Sequence, residues 1–267
     1  MKILVTGHRG FIGQNFVRSL LDDGHDVETY EWNEPYLEEK FKNTKLCIHL
    51  GAISSTTYSN VPQLLEQNYY FTRKLYSLCR IYGTNLQFAS SASLYGVDNK
   101  TFRVVDKPAP TNNYAWSKFL CEEFLNSNTH YPINVQIFRY FNVYGPHEEH
   151  KGDQASPYQK FKQQAIDSGV IKIFEGSESY LRDFIHVEEL INIQKQFFDV
   201  KMSGTWNIGT GKPKSFLAVA REIAEMYNAT IKEIPMPEKL KASYQKHTCA
   251  DMSNTNLTLS SYSRKSF

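Results

Sequence analysis

The chain of 267 residues has no CxxC pair, no apolar run longer than a strand, and almost no net charge. Thirty basic residues face 28 acidic ones, for a net charge of +2. Such a balance leaves no electrostatic footprint for nucleic acid or an anionic membrane. Without a long apolar run, no transmembrane helix is expected. The start, Met1-Lys2-Ile3-Leu4-Val5-Thr6-Gly7, lacks the apolar core and cleavage site of a secretory signal. Cys47, Cys79, Cys121 and Cys249 are scattered, two in apparent helices and one in an apparent strand. They read as buried, reduced thiols of a cytoplasmic protein, with no metal site. Internal repeats and low-complexity segments are absent too. What remains is 41% hydrophobic and 14% aromatic, enough for one large α/β domain or a domain with a smaller lobe.

The chain opens on chemistry. Ile3-Leu4-Val5 predicts a short, fully buried strand ending at Thr6-Gly7. Gly7-His8-Arg9-Gly10-Phe11-Ile12-Gly13 follows, then an amphipathic helix from about Phe11 to Asp22, with Gly24 as its C-terminal signal. A second strand, Asp26 to Tyr30, ends at Glu31. Strand, glycine turn, helix, strand and terminal acid form a dinucleotide-binding βαβ unit. The glycines permit a tight turn, close approach of a pyrophosphate and close packing of helix on strand, with the helix N-terminus facing the phosphates. Glu31 sits where a carboxylate accepts hydrogen bonds from the adenosine ribose. That favours NAD over NADP, whose 2′-phosphate would meet like charge.

Trp32 to Thr44 is short and polar, with room for at most one brief helix and not for a full βα unit. The next strand, Leu46 to Leu50, ends at Gly51-Ala52-Ile53-Ser54-Ser55, which should overlie the cofactor. Val61 to Arg80 reads as one long helix with Pro62 in its first turn and Gly83 at its end. Leu86 to Ser91 reads as a strand ending in hydroxyls, which makes Ser91 a candidate active-site group. Val135 to Phe138 is a further strand.

Tyr114-Ala-Trp-Ser-Lys118 lies between those two strands, on a helix running to about Asn126, with Thr111 or Asn112 as its cap. Four positions apart, Tyr114 and Lys118 share a helix face. The ammonium would favour the ionised phenolate and bring a pKa near 10 toward neutrality. Alone, the spacing is a weak signal, usually a solvated face.

After Pro146 the texture changes. His147 to Gln154 is a charged loop, and Ser156-Pro157 starts a helix as cap and first residue. Val170 to Phe174 is a small strand, Val187 to about Phe198 a helix, and Gly204 to Gly209 a strand and turn. Ser215 caps a helix to Tyr227. The tail from Asp251 is polar and weakly patterned.

Gly7, Gly10 and Gly13 after a strand, a serine at a later strand end and then Tyr-x-x-x-Lys, in that order, resemble the extended short-chain dehydrogenase/reductases, the NAD-dependent epimerase/dehydratase family. Several segments are similar to its ADP-glycero-manno-heptose 6-epimerases. These are Gly51 to Thr57, Phe138 to Pro146 continuing to His150-Lys151-Gly152, Phe174 to Ser177 with Arg182-Asp183-Phe184, and Lys239-Leu240-Lys241 with Tyr244-Gln245. The resemblance implies an α/β, Rossmann-like doubly wound parallel sheet with a smaller C-terminal α/β lobe and a shortened third-strand region. Residues 1–145 with about 183–210 would form the NAD(P)-binding domain. About 146–182 and 211–267 would form the substrate lobe.

The implied activity is inversion of a sugar carbon, C6 of ADP-glycero-manno-heptose, by transient oxidation with tightly bound NAD(P). Another nucleotide-sugar epimerase, such as a 4-epimerase, or a ketosugar reductase stays open. Ala92 and Ser93 offer no acid beside Ser91, which speaks against a 4,6-dehydratase. An intact Ser91, Tyr114 and Lys118 speaks against a non-catalytic relative. Inversion needs a proton donor or acceptor for each orientation of the sugar. By position, Tyr114 is one and Lys151 the other. Lys151 could serve only with a lowered pKa, through burial or through cations such as His150 and Lys118.

Other roles follow by position in the matched motifs. Phe11 and Ile12 would present backbone to the pyrophosphate, and Glu31 and Trp32 would meet the adenosine. Leu50, Gly51, Ala52, Ser54, Ser90 and Val143 would line the cofactor, with Asn68 and Lys118 near the nicotinamide ribose. Ser91 and Asn142 would face the sugar. Phe174, Glu175, Gly176, Ser177, Arg182 and Tyr244 would hold the nucleotide diphosphate, unless Arg182 merely pairs with Asp183. Three departures bear on the substrate and cofactor. No basic residue directly follows Glu31, although the resemblance points to NADP. Asp153 and Lys160, which the match places on the substrate, stand where a small hydroxyl residue and a histidine are expected, and His147 on the same side where an arginine is. The chain ends at Phe267, where a final helix would begin. The expected partners are a nucleotide-diphosphate sugar and a second copy of the chain, with no nucleic acid and no membrane.

Overall fold

A computed structural model describes residues 1–98, 100–128, 132–238 and 245–263. Strand β1 (Lys2–Thr6) has four buried residues in a row, the pattern of a parallel strand covered on both faces. Helix α1 (Phe11–Asp22) returns beside it with Phe11, Gly13, Phe16 and Leu20 buried on one face. Strand β2 (Asp26–Tyr30) is only partly covered. It is followed by the four-residue helix α2 (Leu37–Lys40) and by β3 (Leu46–His49), buried throughout.

Helix α3 (Val61–Leu64) is capped by Asn60 and runs through a π-helical stretch, Leu65–Tyr70, into α4 (Phe71–Tyr82). The expected single helix is therefore one rod with a widened turn inside it, where Asn68 is buried. Such insertions often sit at functional sites. Next come β4 (Asn85–Ser91), the short β5 (Lys100–Phe102), α5 (Asn113–Ser127) and β6 (Val135–Tyr140). Asn112, rather than Thr111, caps α5 by accepting the Ala115 N–H at 2.9 Å.

The second part of the chain adds β7 (Asn142–Tyr144), α6 (Pro157–Ser168), β8 (Val170–Phe174), β9 (Leu181–Arg182) and β10 (Phe184–His186). Helix α7 (Val187–Lys195), β11 (Gly204–Ile208), β12 (Lys214–Ser215), α8 (Phe216–Tyr227), β13 (Thr230–Ile234) and β14 (Thr248–Ala250) follow. As expected, Ser156 and Ser215 cap α6 and α8 with side-chain bonds to the N–H groups of Gln159 and Ala218.

Six strands form one parallel sheet in the order β11-β6-β4-β3-β1-β2. From β1 the chain goes out to β2 and then returns to the other side of β1 as β3. The strand order reverses there, and ligands of doubly wound sheets bind above such a point. Strand β2 is the sheet edge. Among the described residues no strand lies beyond it, in line with the short stretch after Glu31. One hydrophobic layer, with Phe16, Leu20, Phe197 and Trp206, packs α1 and α7 on one face. Another, with Phe41, Leu75, Leu86 and Leu125, packs α4 and α5 on the other. A separate small core joins α6, β8 and α8 through Phe161, Ile171, Val219 and Ile223, with Ile231 of β13 packed against it.

Two sequence expectations need correction. The tail contains a helix, Ser253–Ser263. Leu259 and Tyr262 pack on the first core, and Trp206 Nε1 donates to Thr258 Oγ1 at 3.0 Å. The assignment of 211–267 to the lobe therefore fails for its last part. β14 pairs with β5, and the terminal helix docks on the Rossmann core. The physical reason is that two apolar side chains, Leu259 and Tyr262, on an otherwise polar helix find their partners only in tertiary contact.

Candidate active site

A cavity of about 700 Å³ opens at the C-terminal ends of β1, β3, β4 and β6. Its floor is the glycine turn. Gly7 has φ +76°, and a Cβ there would lie 2.4 Å from the Cα of Gly51. A Cβ on Gly13 would lie 2.0 Å from the Gly7 carbonyl oxygen. The turn after β1, the turn after β3 and the first turn of α1 thus touch backbone to backbone. Gly10 caps α1 with no side-chain bond, so the first-turn N–H groups, which have no helical partner, remain open to an anion. Phe11, Ile12, Leu50, Ala52 and Ser54 line the same space. This cradle fits the pyrophosphate of a dinucleotide.

Glu31 closes the β2 end. Its Oε1 accepts the Arg9 N–H at 2.7 Å and lies 3.2 Å from His8 Nδ1. Arg9 also reaches Glu34 at 2.7 Å. A basic side chain near Glu31 therefore comes from the glycine loop, a fact invisible in the residues following Glu31. Trp32 does not line the cavity; it packs on the core beneath α4.

Ser90, Ser91 and Tyr114 line the β4 side. Burial pushes the Tyr114 phenol above its usual pKa of 10, and a hydrogen bond with Ser91 pulls it partly back. Lys118 is buried behind the wall. Its Nζ donates to the Ala89 carbonyl at 2.7 Å and lies 4.6 Å from the Phe88 ring centre. Desolvation lowers it to about 8, against the pull of Cys121 and Glu122. The expected depression of Tyr114 by Lys118 is thus not what the structure has. The ammonium is turned toward β4, and burial dominates the phenol.

Asn68 is likewise behind the wall, not lining the cavity. Its amide accepts the Ile53 N–H at 2.8 Å and donates to the Ile53 carbonyl at 3.0 Å and to Ser117 Oγ at 2.9 Å. The π-helical stretch thereby pins the Gly51–Ser55 turn to α5.

On the opposite side, Asn142, Val143, His150, Lys151 and Gln154 line the cavity. Lys151 Nζ sits 5.3 Å from the Phe11 ring centre. Its pKa is lowered, and the cause is burial; Glu148 works the other way. The cations His150 and Lys118, expected to share in this, do not figure among the causes. Asp153 and Lys160 are exposed and outside the cavity, as is His147, which has φ +73°.

Phe174, Glu175, Gly176 and Ser177 form a turn in the lobe, closed by the Ser177 hydroxyl on the Phe174 carbonyl. Arg182 lies near it, stacked 5.5 Å over Phe216 and donating to the carbonyls of Leu181 and Gln245. None of these lines the main cavity, and Tyr244 lies outside the described residues. Arg182 has no ion pair with Asp183. The Asp183 carboxylate, fully buried, accepts from Thr210 N and Oγ1, Gly211 N and Ala250 N.

Sequence reasoning missed three buried acids that build the site. Asp183 ties the β11 turn to β14. Glu122, one turn past Lys118, accepts from Ser90 Oγ at 2.5 Å and from Arg139 Nη2 at 2.7 Å. Glu148 holds the Lys151 loop. The only sequence signal is an acid in a helix, beside a strand or in a charged loop, and that does not tell a buried acid from a solvated one.

A model of the NAD-dependent epimerase/dehydratase family matches residues 3–209. An ADP-L-glycero-D-manno-heptose-6-epimerase of Brachyspira hyodysenteriae is 36% identical over 94% of this chain and 89% of its own. The crystal structure of the Helicobacter pylori enzyme of the same name superposes with a TM-score of 0.85 at 25% identity, covering 98% and 90% of the two chains. A Thermus thermophilus UDP-glucose 4-epimerase, solved with NAD, shares the fold at a TM-score of 0.81 and 23% identity, over 98% and 93%. With its glycine turn at the reversal of the sheet and its match across residues 3–209, the chain belongs to the NAD-dependent epimerase/dehydratase family.

Proposed function

We propose that the chain is an NAD(P)-dependent nucleotide-sugar epimerase that inverts C6 of an ADP-glycero-manno-heptose. The observation that carries the reading is that Tyr114 and Lys151, from separate elements, line one cavity together with a dinucleotide cradle. A nicotinamide held there would supply reversible hydride transfer, accepting the hydride from C6 and giving it back to the opposite face of the ketone. Tyr114 then takes the hydroxyl proton in one sugar orientation, with Ser91 holding the same oxygen. The ketone turns about its C5–C6 bond. Lys151 returns a proton in the other orientation, and exchange with water resets Tyr114 and Lys151, so the net reaction is inversion with no cofactor consumed. Burial lowers the Lys151 pKa, so the group can take a proton when the other epimer is the substrate as well as give one here.

We assign the first-turn N–H groups of α1 to the pyrophosphate and Glu31 to the adenosine ribose, which favours NAD. Asn142 is assigned to the sugar. The lobe turn Phe174–Ser177 with Arg182 is assigned to the nucleotide diphosphate, the planar guanidinium suiting phosphate oxygens. Residues 146–182 and 211–238 form the substrate lobe in this reading, and a second copy of the chain is the expected partner. Reduced, buried cysteines fit a cytoplasmic enzyme, and no helix among the described residues is long and apolar enough to cross a membrane.

The test is incubation of purified protein with ADP-D-glycero-D-manno-heptose and no added cofactor, following C6 by NMR, with mass spectrometry of the nucleotide that co-purifies. Inversion and bound NAD are expected. Absence of inversion in protein carrying NAD(P) would sink the C6 assignment, and bound NADP would overturn the role given to Glu31.

A further inference from the structure

Resting on the assignment of Lys151 above, we propose that Glu148 is the positioning residue of this site, its buried carboxylate closing the loop that carries Lys151 to the cavity. The side chain is 1% exposed. It accepts the Gly145 N–H at 2.9 Å, the Ser156 N–H at 2.7 Å and the Ser156 hydroxyl at 2.9 Å. Those partners are the first and last residues of the excursion between β7 and α6. One carboxylate therefore clamps both ends, and Lys151 sits between them.

The clamp reaches Lys151 directly as well. The Lys151 N–H donates to the Glu148 carbonyl at 2.9 Å. The intervening backbone would not hold this shape unaided. His147 has φ +73°, and Gly152 has φ +49° with ψ −122°. Only neutral donors meet the Glu148 carboxylate, so its charge is uncompensated within its own hydrogen bonds and acts on the nearby ammonium. The groups facing that ammonium are few. They are the Phe11 ring from α1 and Glu148 from the loop, with His150, Tyr114, Tyr140 and Glu31 the other titratable groups lining the cavity. Glu148 raises the proton affinity that burial lowers. The same acid thus fixes where Lys151 stands and keeps it able to carry a proton as well as take one.

The experiment uses full-length protein with its bound nucleotide. The pH dependence of Lys151 acetylation by acetic anhydride, read by peptide mass spectrometry, is compared in the natural protein, Glu148→Gln and Glu148→Asp. Epimerisation and bound NAD(P) are measured alongside. For Glu148→Gln the labelling midpoint is expected to fall by about one pH unit. Epimerisation should fall ~100-fold, as for a misplaced group, with NAD(P) retained. Glu148→Asp keeps the charge but withdraws it by one methylene. It should stay nearer the natural midpoint and still lose turnover, and it carries the test if the Gln variant does not fold. A natural midpoint with natural turnover in either variant overturns the proposal. So does a loss of activity that tracks loss of NAD(P), the mark of a merely structural residue. The labelling needs no substrate, so a failure of the C6 assignment would show separately, as absence of inversion in the natural protein.

Discussion

The cavity wall that carries Tyr114 and the wall that carries Lys151 are held by different means. Tyr114 stands on a 15-residue helix packed on a parallel sheet, backed by Ser91, the Lys118–Ala89 bond and the Glu122–Arg139 pair. Lys151 stands on a loop with no sheet partner, given its shape by one carboxylate. The first wall is held by several contacts of helix and sheet together. The second depends on a single residue and should be the easier to disable without unfolding the protein. It is also the wall on which a related chain could change its chemistry while keeping the cradle.

The comparison is sharpest in catalysis. Tyr114→Phe and Lys151→Ala should each lower epimerisation on the order of 10²–10⁴-fold while leaving NAD(P) bound. Reduction of the bound nicotinamide on adding each epimer separately, followed by the absorbance of the reduced ring, should respond differently to the two variants. Equal loss from both epimers in both would break the assignment of one group to each orientation. Next is the buried pair behind the first wall. Arg139→Met leaves Glu122 buried with the Ser90 hydroxyl but without its cation, at a cost of about 3–5 kcal/mol in denaturant unfolding. A cost under 1 kcal/mol would mean that this wall is not held as described.

Gly13→Ala places a Cβ 2.0 Å from the Gly7 oxygen. A loss of about 1–3 kcal/mol is expected, with release of NAD(P) visible by mass spectrometry. The smallest effect belongs to the sheet edge. Glu28 is drawn below its usual pKa by Lys40, with Lys2 adding to it, so its contribution is present above about pH 4.5 and lost as pH falls through the lowered value. After solvent screening, Glu28→Gln should cost no more than about 0.5 kcal/mol at pH 7 and nothing at pH 2.

Much of the first wall was legible because its signals are local. A glycine turn after a buried strand, a helix cap, a Tyr-x-x-x-Lys spacing and a short stretch after Glu31 all follow from backbone sterics and helix period. The direction of a long side chain does not. Lys118 and Asn68 were expected to meet the cofactor, yet both turn away from the cavity, Lys118 to the Ala89 carbonyl and Asn68 to Ile53 and Ser117. The helix at Ser253–Ser263 escaped because its few apolar residues carry almost no helical pattern. They acquire meaning only against Trp206 and its neighbours.

Tyr-x-x-x-Lys therefore specified that a tyrosine and a lysine share a helix face, and nothing about what either touches. The sequence by itself determined the βαβ unit, the strand-end hydroxyls and the order of the motifs, since these depend on spacings of a few residues. Tertiary structure alone decided that Lys151, 37 positions from Tyr114 by residue number, lines the same cavity, and that burial opposed by Glu148, rather than a neighbouring cation, sets its proton affinity. The physical reason is burial. A carboxylate or ammonium changes its chemistry only when the fold removes water from it, and which charges are buried together is fixed by long-range packing.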